Sequence, residues 1–437
     1  MLEAVINAFK IPDLRRKLLF TVGMLVIFRV IASIPVPGVN QHELQDFIDN
    51  NQLLSVLNLF SGAGLSTFSV VALGVYPYIT ASIIMQLMTP IIPRLNELSS
   101  EGQQGRNKIN QYTHYLTVPL AFLQAYGHAI LFTRNTGAGG VQLLEGFGLF
   151  NSSTFVSSLA ILLAMTAGTM LLVWMGELIT EMGIGNGTSI IIFGGIVAKL
   201  PSAIGKLFGD STSRDIIAIV TFAAIAIITV VGIVLVNEGQ RRIPVQHAKR
   251  IRGNRQYGGT TTFIPLRVNS AGMIPLIFAV SIMVFPGMIA NFLQSSSRSS
   301  VQSVAKWLTT FFNPQSFQYN LLYFLMVVGF TYFYTMVVFQ QQKIPENLQR
   351  QGAFIRGVRP GRQTAIYLQR VLNRITLVGA LFLGLVAILP FLASRLTGIN
   401  TLLLSATSLL IVVGVAIDTM RQLEAQLMMR NYEGFIG

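Results

Sequence analysis

Histidine, cysteine and carboxylate side chains do most of the chemistry that proteins perform at fixed sites, and in this 437-residue chain they are scarce and scattered. The four histidines, His42, His114, His128 and His247, stand so far apart that no metal-ligand or nucleophile–base spacing is visible. There is no cysteine, which excludes disulfides, thiolate metal sites and cysteine nucleophiles. No Gly-Lys-Ser/Thr follows a glycine-rich turn, so the phosphate-cradling P-loop is missing too. The run Gly183-Ile184-Gly185-Asn186-Gly187 is a tight turn that glycine makes easy, and a weak phosphate signal. Acidic residues such as Glu177, Glu181 and Asp418 fall in loops or near the ends of apolar runs. The expectation is a protein that is not an enzyme and needs no cofactor or metal.

Arginine is the side chain that does recur in a pattern. The stretch 237–268 reads as a hairpin whose ascending arm holds Arg241, Arg242, Lys249, Arg250 and Arg252. Its tip, 253–259, contains Arg255 and Tyr257, and β-branched residues from Thr260 to Ile264 open the return. A second stretch, 341–374, carries Lys343, Arg350, Arg356, Arg359, Arg362, Arg370 and Arg374. Guanidinium forks suit phosphate and carboxylate groups. A net charge of +14 could mean nucleic acid, anionic lipid or membrane topology, and the placement of the charges decides among them.

The elements that position these loops are apolar. Hydrophobic residues make up 52% of the chain and charged residues 11%, with a mean hydropathy of +0.60. Soluble domains average about 25% charged residues, so the deficit is what lipid demands of a surface. Runs long enough to cross a ~30 Å hydrocarbon core as helix predict ten spans, near 18–36, 74–92, 114–132, 154–175, 188–205, 216–236, 269–289, 319–340, 375–394 and 402–419. With the N-terminus placed in the cytoplasm, the cytoplasmic segments hold 23 Lys and Arg against 7 on the other side, Lys199 at the outer end of the fifth span included. This bias is the positive-inside signature and predicts that both termini are cytoplasmic. Arg29 alone lies inside the first span, where a structural role is expected, at an interface or on a backbone carbonyl. The segment before that span reads as an interfacial amphipathic helix, and no cleavable signal peptide is expected, since the span runs into Ile34-Pro35-Val36-Pro37-Gly38.

One segment is neither loop nor span. From Asn50 to Pro93 there is no charged residue, about twice the length of one crossing and too little for two and a hairpin. Its first half contains Ser61, Gly62, Ala63, Gly64, Leu65, Ser66, Thr67 and Ser69. At membrane depth such a backbone must sit inside protein or line a cavity. Residues 58–73 are therefore expected to form a short re-entrant helix, a plug, hinged at Gly74 into a span from Val75. A loop on the outer face with a half-buried helix is the alternative.

Three stretches resemble the SecY/Sec61-alpha family of protein-conducting channels. They are Gly74-Val75-Tyr76-Pro77-Tyr78-Ile79-Thr80-Ala81-Ser82-Ile83-Ile84-Met85-Gln86, Gly176-Glu177-Leu178-Ile179-Thr180-Glu181-Met182-Gly183-Ile184-Gly185-Asn186-Gly187-Thr188-Ser189-Ile190-Ile191-Ile192, and Gly357-Val358-Arg359-Pro360-Gly361 with Gln363 and Thr364. They stand in the family's order, and the span count agrees. Arg356 sits where the family commonly has proline.

The resemblance implies an all-α polytopic membrane protein, with two pseudo-symmetric five-helix halves, 1–206 and 207–437, around a central pore. It implies an aliphatic pore ring of Val75, Ile79, Ile192, Ile277 and Ile411, and such a constriction blocks ions by dewetting. A lateral gate is implied between spans two and three on one side and seven and eight on the other. Gln86 and Asn269 could hydrogen-bond across it, and Pro275, with Gly272 and Pro286, could kink its wall. Docking of ribosomes and of the SecA motor ATPase is implied at Arg241, Arg242, Arg250, Arg252, Arg255, Tyr257, Arg356 and Arg359. SecE, SecG, signal-bearing preproteins and membrane lipid complete the implied partners, in the bacterial inner membrane. A secondary transporter of small solutes is the rival reading; it would place coupled ionisable groups mid-membrane.

Overall fold

The computed structural model describes residues 9–36, 39, 44, 48, 58, 61–62, 64–134, 147–148, 154–209, 216–247, 250–252, 255–257, 261–294, 299–397 and 402–433. Most of the expected N-terminal amphipathic helix, His42, Ala63, Lys249 and the glycines of the hairpin tip lie outside these residues.

Ten long helices stand where ten spans were expected: α1 (Pro12–Ala32), α2 (Tyr76–Ile91), α4 (Gln103–Arg134), α5 (Phe155–Met182), α6 (Gly187–Gly209), α7 (Ile216–Glu238), α8 (Ile274–Gln294), α10 (Phe317–Gln342), α12 (Arg362–Thr397) and α13 (Leu402–Glu433). Three shorter helices, α3 (Pro93–Ser100), α9 (Ser299–Phe311) and α11 (Ile344–Arg350), join them. Among the described residues, Phe155–Met182, Phe317–Arg350 and Arg362–Leu389 are apolar over a full bilayer's length. Other helices carry shorter apolar stretches, such as Gly187–Lys199 and Ile274–Val284. At 1.5 Å per residue, α4, α12 and α13, of 32, 36 and 32 residues, run well beyond a ~30 Å core. Their polar ends therefore project past the membrane.

Local sequence sets the boundaries. Proline opens α1 and α2 in their first turns, where its missing N–H costs nothing. Ser316 caps α10, its hydroxyl accepting from the Tyr319 N–H at 3.2 Å. Pro275 likewise stands in the first turn of α8, so it starts that helix rather than kinking it; Pro286 is the proline inside. Leu19, Val22, Val26 and Val30 form an exposed stripe along α1, and Leu321 and Leu325 along α10. Such exposed apolar stripes suit a lipid-facing surface. The interior is one continuous apolar cluster to which all ten long helices contribute, from Met24 to Ile417.

The basic loops do not dangle. Strands β1 (Gln240–His247) and β4 (Thr261–Arg267) pair antiparallel as the expected hairpin, and β2 (Arg250–Arg252) and β3 (Arg255–Tyr257) form a second small ladder toward its tip. The second loop contributes β5 (Ala353–Ile355), which pairs with β1 to give the order β4–β1–β5.

Candidate functional site

Val75 caps α2 and Ile79 lies one turn further, so both point the same way. With Ile192 on α6, Ile277 on α8 and Ile411 on α13 they are 0–7% exposed and belong to the same apolar cluster. The five residues expected in the ring are thus buried, on four helices, within one apolar interior.

Beside them lies the segment expected as the plug. Its described residues make a run of turns, tighter than the α-helix anticipated: Phe68, Ala72 and Gly74 N–H groups donate to the carbonyls of Leu65, Ser69 and Val71. The short hydroxyl side chains explain this, because they compete for backbone groups. Ser61 Oγ accepts from the Leu65 N–H at 3.0 Å, and Asn58 Oδ1 from the Ser66 N–H at 3.0 Å. Its described residues are buried or half-buried. Ser61 is 2% exposed, and Leu65, Phe68 and Ser69 are fully buried.

Its fit is made by glycine. A Cβ on Gly195 of α6 would stand 2.3 Å from the Gly62 Cα, and one on Gly168 of α5 would stand 2.1 Å from the Val70 carbonyl. The backbones therefore touch directly. Arg29 Nη1 donates to the Gly62 carbonyl at 3.0 Å, the structural use expected of this lone charge. Thr67 Oγ1 donates to Ala32 O, Val36 N to Phe68 O, and the Phe68 ring stands edge-on to Phe132 of α4 at 5.3 Å.

The gate region differs from the expected pairing. Asn269 Nδ2 donates to Asn237 Oδ1 at 2.7 Å and to Gly272 O at 3.1 Å, while Gln86 Nε2 donates to Ser82 Oγ at 3.2 Å on its own helix. Nearby acceptors have taken both amides, so Gln86 and Asn269 do not meet. Each keeps a buried oxygen without a partner among the described residues. What does join α2 to α8 is Tyr76, whose hydroxyl donates to the Ser281 carbonyl at 2.8 Å. Further along α2 a cleft of about 350 Å³ opens, lined by Ser82, Gln86 and Thr89 of α2, Arg106, Asn107 and Asn110 of α4, and Val337 of α10.

Two of the histidines have partners the sequence did not reveal. His114 Nε2 lies 2.7 Å from Glu177 Oε1, which accepts from Asn110 Nδ2 at 3.1 Å, and the Tyr78 ring rests 5.7 Å from the imidazole. His128 Nδ1 contacts the Gln124 carbonyl at 2.9 Å. No group of three metal-ligating side chains occurs among the described residues.

On the sheet, alternate residues divide inside from outside. Ile243, Val245, Leu266, Ala353 and Ile355 face inward onto Leu348, Leu368 and Val371. Arg241, Arg242, Arg356 and Arg359 are exposed. Arg250, Arg252, Arg255 and Tyr257 lie on the β2–β3 ladder, where Arg250 pairs with Tyr257 and Arg252 with Arg255. Arg421 of α13 reaches Glu238 Oε1 with two nitrogens at 3.1 and 3.0 Å and also donates to Asn237 O, tying α13 to the end of α7.

Known proteins share both this sequence and this fold. The family model described as SecY matches residues 69–420. Curated relatives named protein translocase subunit SecY are 46% identical in Mycobacterium leprae and 44% identical in Streptomyces coelicolor, each covering the whole of both chains. Among solved structures, a protein-conducting channel aligns over 96% of both chains with a TM-score of 0.60 at 16% identity. Sec61 from a canine ribosome–channel complex of the endoplasmic reticulum aligns over 96% of both chains at 0.57 and 15%. With a family match over most of its length and relatives above 40% identity from end to end, this chain belongs to the SecY family, whose members are multi-pass membrane proteins.

Proposed function

We propose that this chain is the central subunit of a protein-conducting channel, which passes unfolded secretory polypeptides across the bacterial inner membrane and releases membrane segments sideways through a gate. The observation that supports the reading is the buried interior: five aliphatic side chains from four helices share one apolar cluster with a segment packed backbone to backbone against α5 and α6. A ring of this kind blocks ions yet deforms around a passing chain, because it makes no directional bonds. Val75, Ile79, Ile192, Ile277 and Ile411 are its members, and 61–67 is the plug. The gate runs between α2 and α8, with Gln86, Asn269 and Pro275 along it and Tyr76–Ser281 as its cross-link.

Both termini face the cytoplasm, and the two halves, 1–206 and 207–437, flank the pore. The β4–β1–β5 sheet and the ladder at its tip receive the SecA ATPase and the ribosome through Arg241, Arg242, Arg250, Arg252, Arg255, Tyr257, Arg356 and Arg359. SecE and SecG are the companion subunits. The work comes from SecA or the ribosome and from the proton-motive force. A solute transporter would need coupled charges at the bilayer centre; Glu177 and Glu238, which have partners here, stand instead near the sheet-side ends of their helices.

The test is reconstitution with SecE in liposomes, comparing ion conductance of the native chain with a deletion of residues 61–69. SecA, ATP and an unfolded preprotein are then added. A leakier deletion variant together with ATP-dependent import is the expected result. Unchanged leak and no import from an intact, correctly oriented complex would overturn the proposal.

A further inference from the structure

The helix α9 (Ser299–Phe311) has no part in the channel as described above. It follows α8 on the face opposite the β-sheet, because α8 begins beside β4 and α10 returns to β5. One side of α9 packs on α8, with Ala305 fully buried. The other side is apolar and exposed: Val304 is 54% and Trp307 62% exposed, three residues apart on one face. The Trp307 ring stacks on Phe311 with centroids 5.3 Å apart, and Phe311 meets Phe312 at 5.1 Å.

The position of this face relative to α10 is fixed by the connection between the two helices. Ser316 Oγ donates to the Phe311 carbonyl at 3.1 Å, and Asn320 Nδ2 donates to Pro314 O at 2.7 Å and Ser316 O at 2.8 Å. These bonds pin the end of α9 to the first turn of α10. At that same turn the lipid-facing stripe of α10 starts, with Phe317, Leu321 and Leu325 exposed at helical spacing. With α10 spanning the membrane, Trp307 and Phe311 would stand at the edge of its lipid belt. Tryptophan concentrates at that depth in membranes, where its ring is wetted at one end. Residues 299–311 contain no carboxylate, and Lys306 is exposed beside Trp307, a charge that suits anionic headgroups.

We propose that α9 is an interfacial anchor, seated through Val304 and Trp307 in the headgroup layer of the outer leaflet, with anionic phospholipid as its partner. The anchor does not depend on what passes through the bundle. Because α9 packs on α8, it also ties the outer end of that helix to the lipid. Should α8 serve as the gate wall, the lipid would bear on gate opening.

The chain has two tryptophans, Trp174 and Trp307, which makes the test direct. The full-length chain carrying Trp174→Phe is reconstituted in vesicles of phosphatidylethanolamine and phosphatidylglycerol. Trp307 emission is then measured with phospholipids brominated near the glycerol or deep in the acyl chain, and with aqueous iodide. Shallow bromines should quench about twofold more than deep ones, as an interfacial ring requires. Val304→Asp in the same background should weaken that quenching and raise quenching by iodide. Quenching by iodide with none by bromolipid would show a water-facing helix, and protection from both would show a face covered by protein; either overturns the proposal. Subtracting the spectrum of a Trp307→Phe variant from that of the native chain gives the same reading if Trp174→Phe fails to fold.

Discussion

Around Gly62 the chain meets its neighbours backbone to backbone, whereas at the β4–β1–β5 sheet short strands and a handful of aliphatic side chains hold two long charged loops together. The first region is buried and close-packed, and one side chain too many has nowhere to go. The second turns its arginines to water, where single ion contacts are weak and screened by salt. As the proposed seal, the first should respond to volume and ignore ionic strength; as the proposed docking face, the second should do the opposite.

The comparison breaks most visibly at Gly195. Gly195→Val places methyl groups where the Gly62 backbone now sits. Overpacking of this sort costs about 1–3 kcal/mol, so the closed-to-open ratio should fall roughly 5- to 150-fold. Planar-bilayer conductance reads this as a large leak that is the same at low and high salt once corrected for bulk conductivity. A sealed Gly195→Val channel would show that the segment does not close the pore.

At the other pole, Arg356→Glu with Arg359→Glu should leave that leak untouched and weaken ribosome binding. Removing one arginine–phosphate pairing flattens the salt dependence of log affinity by about 0.7–0.9 per decade. Removing two predicts a slope lower by roughly 1.5 and tenfold or more weaker binding near 0.1 M salt, measured by cosedimentation over a salt series. An unchanged slope would remove these two arginines from the docking face.

The smallest effect is expected between the two regions, at Tyr76. Tyr76→Phe deletes the hydroxyl that donates to Ser281 O and leaves the ring packing intact. A hydrogen bond nets about 0.5–1.5 kcal/mol, so gate opening should become easier by roughly 2- to 12-fold. Import of a preprotein with a weakened signal sequence is the readout. No gain would mean that the bond does not hold the gate shut.

The ten spans were legible because hydropathy is a local property, and each run carries its own evidence within about 20 residues. The hairpin 240–267 was legible for the same reason. Contacts between distant segments were not. Nothing in Ala353–Ile355 announces that it pairs with Val245–His247, since a three-residue strand has almost no pattern to read. Tyr76 and Ser281 are 205 residues apart, and His114 and Glu177 are 63 apart. The Gln86–Asn269 pairing failed because closer acceptors, Ser82 and Asn237, were in reach of each amide. The plug's burial followed from its uncharged, small-residue composition, but its turns depended on which hydroxyls captured which backbone groups.

The strand β5 has a mechanical consequence. Its three residue pairs with β1 splice the 341–374 loop to the 237–268 loop, so the two are one lever rather than two tethers. The lever's root is stiff. Val268 N donates to Gly239 O, closing the hairpin at its base, and Gly379 of α12 lets that helix pass so close that a Cβ there would stand 2.5 Å from the Val268 carbonyl. A push on either loop from outside the membrane is thus delivered at one point, at the shared start of α8 and the flank of α12, and not dissipated along a flexible chain. Cutting the splice would leave the lever's two arms to swing independently.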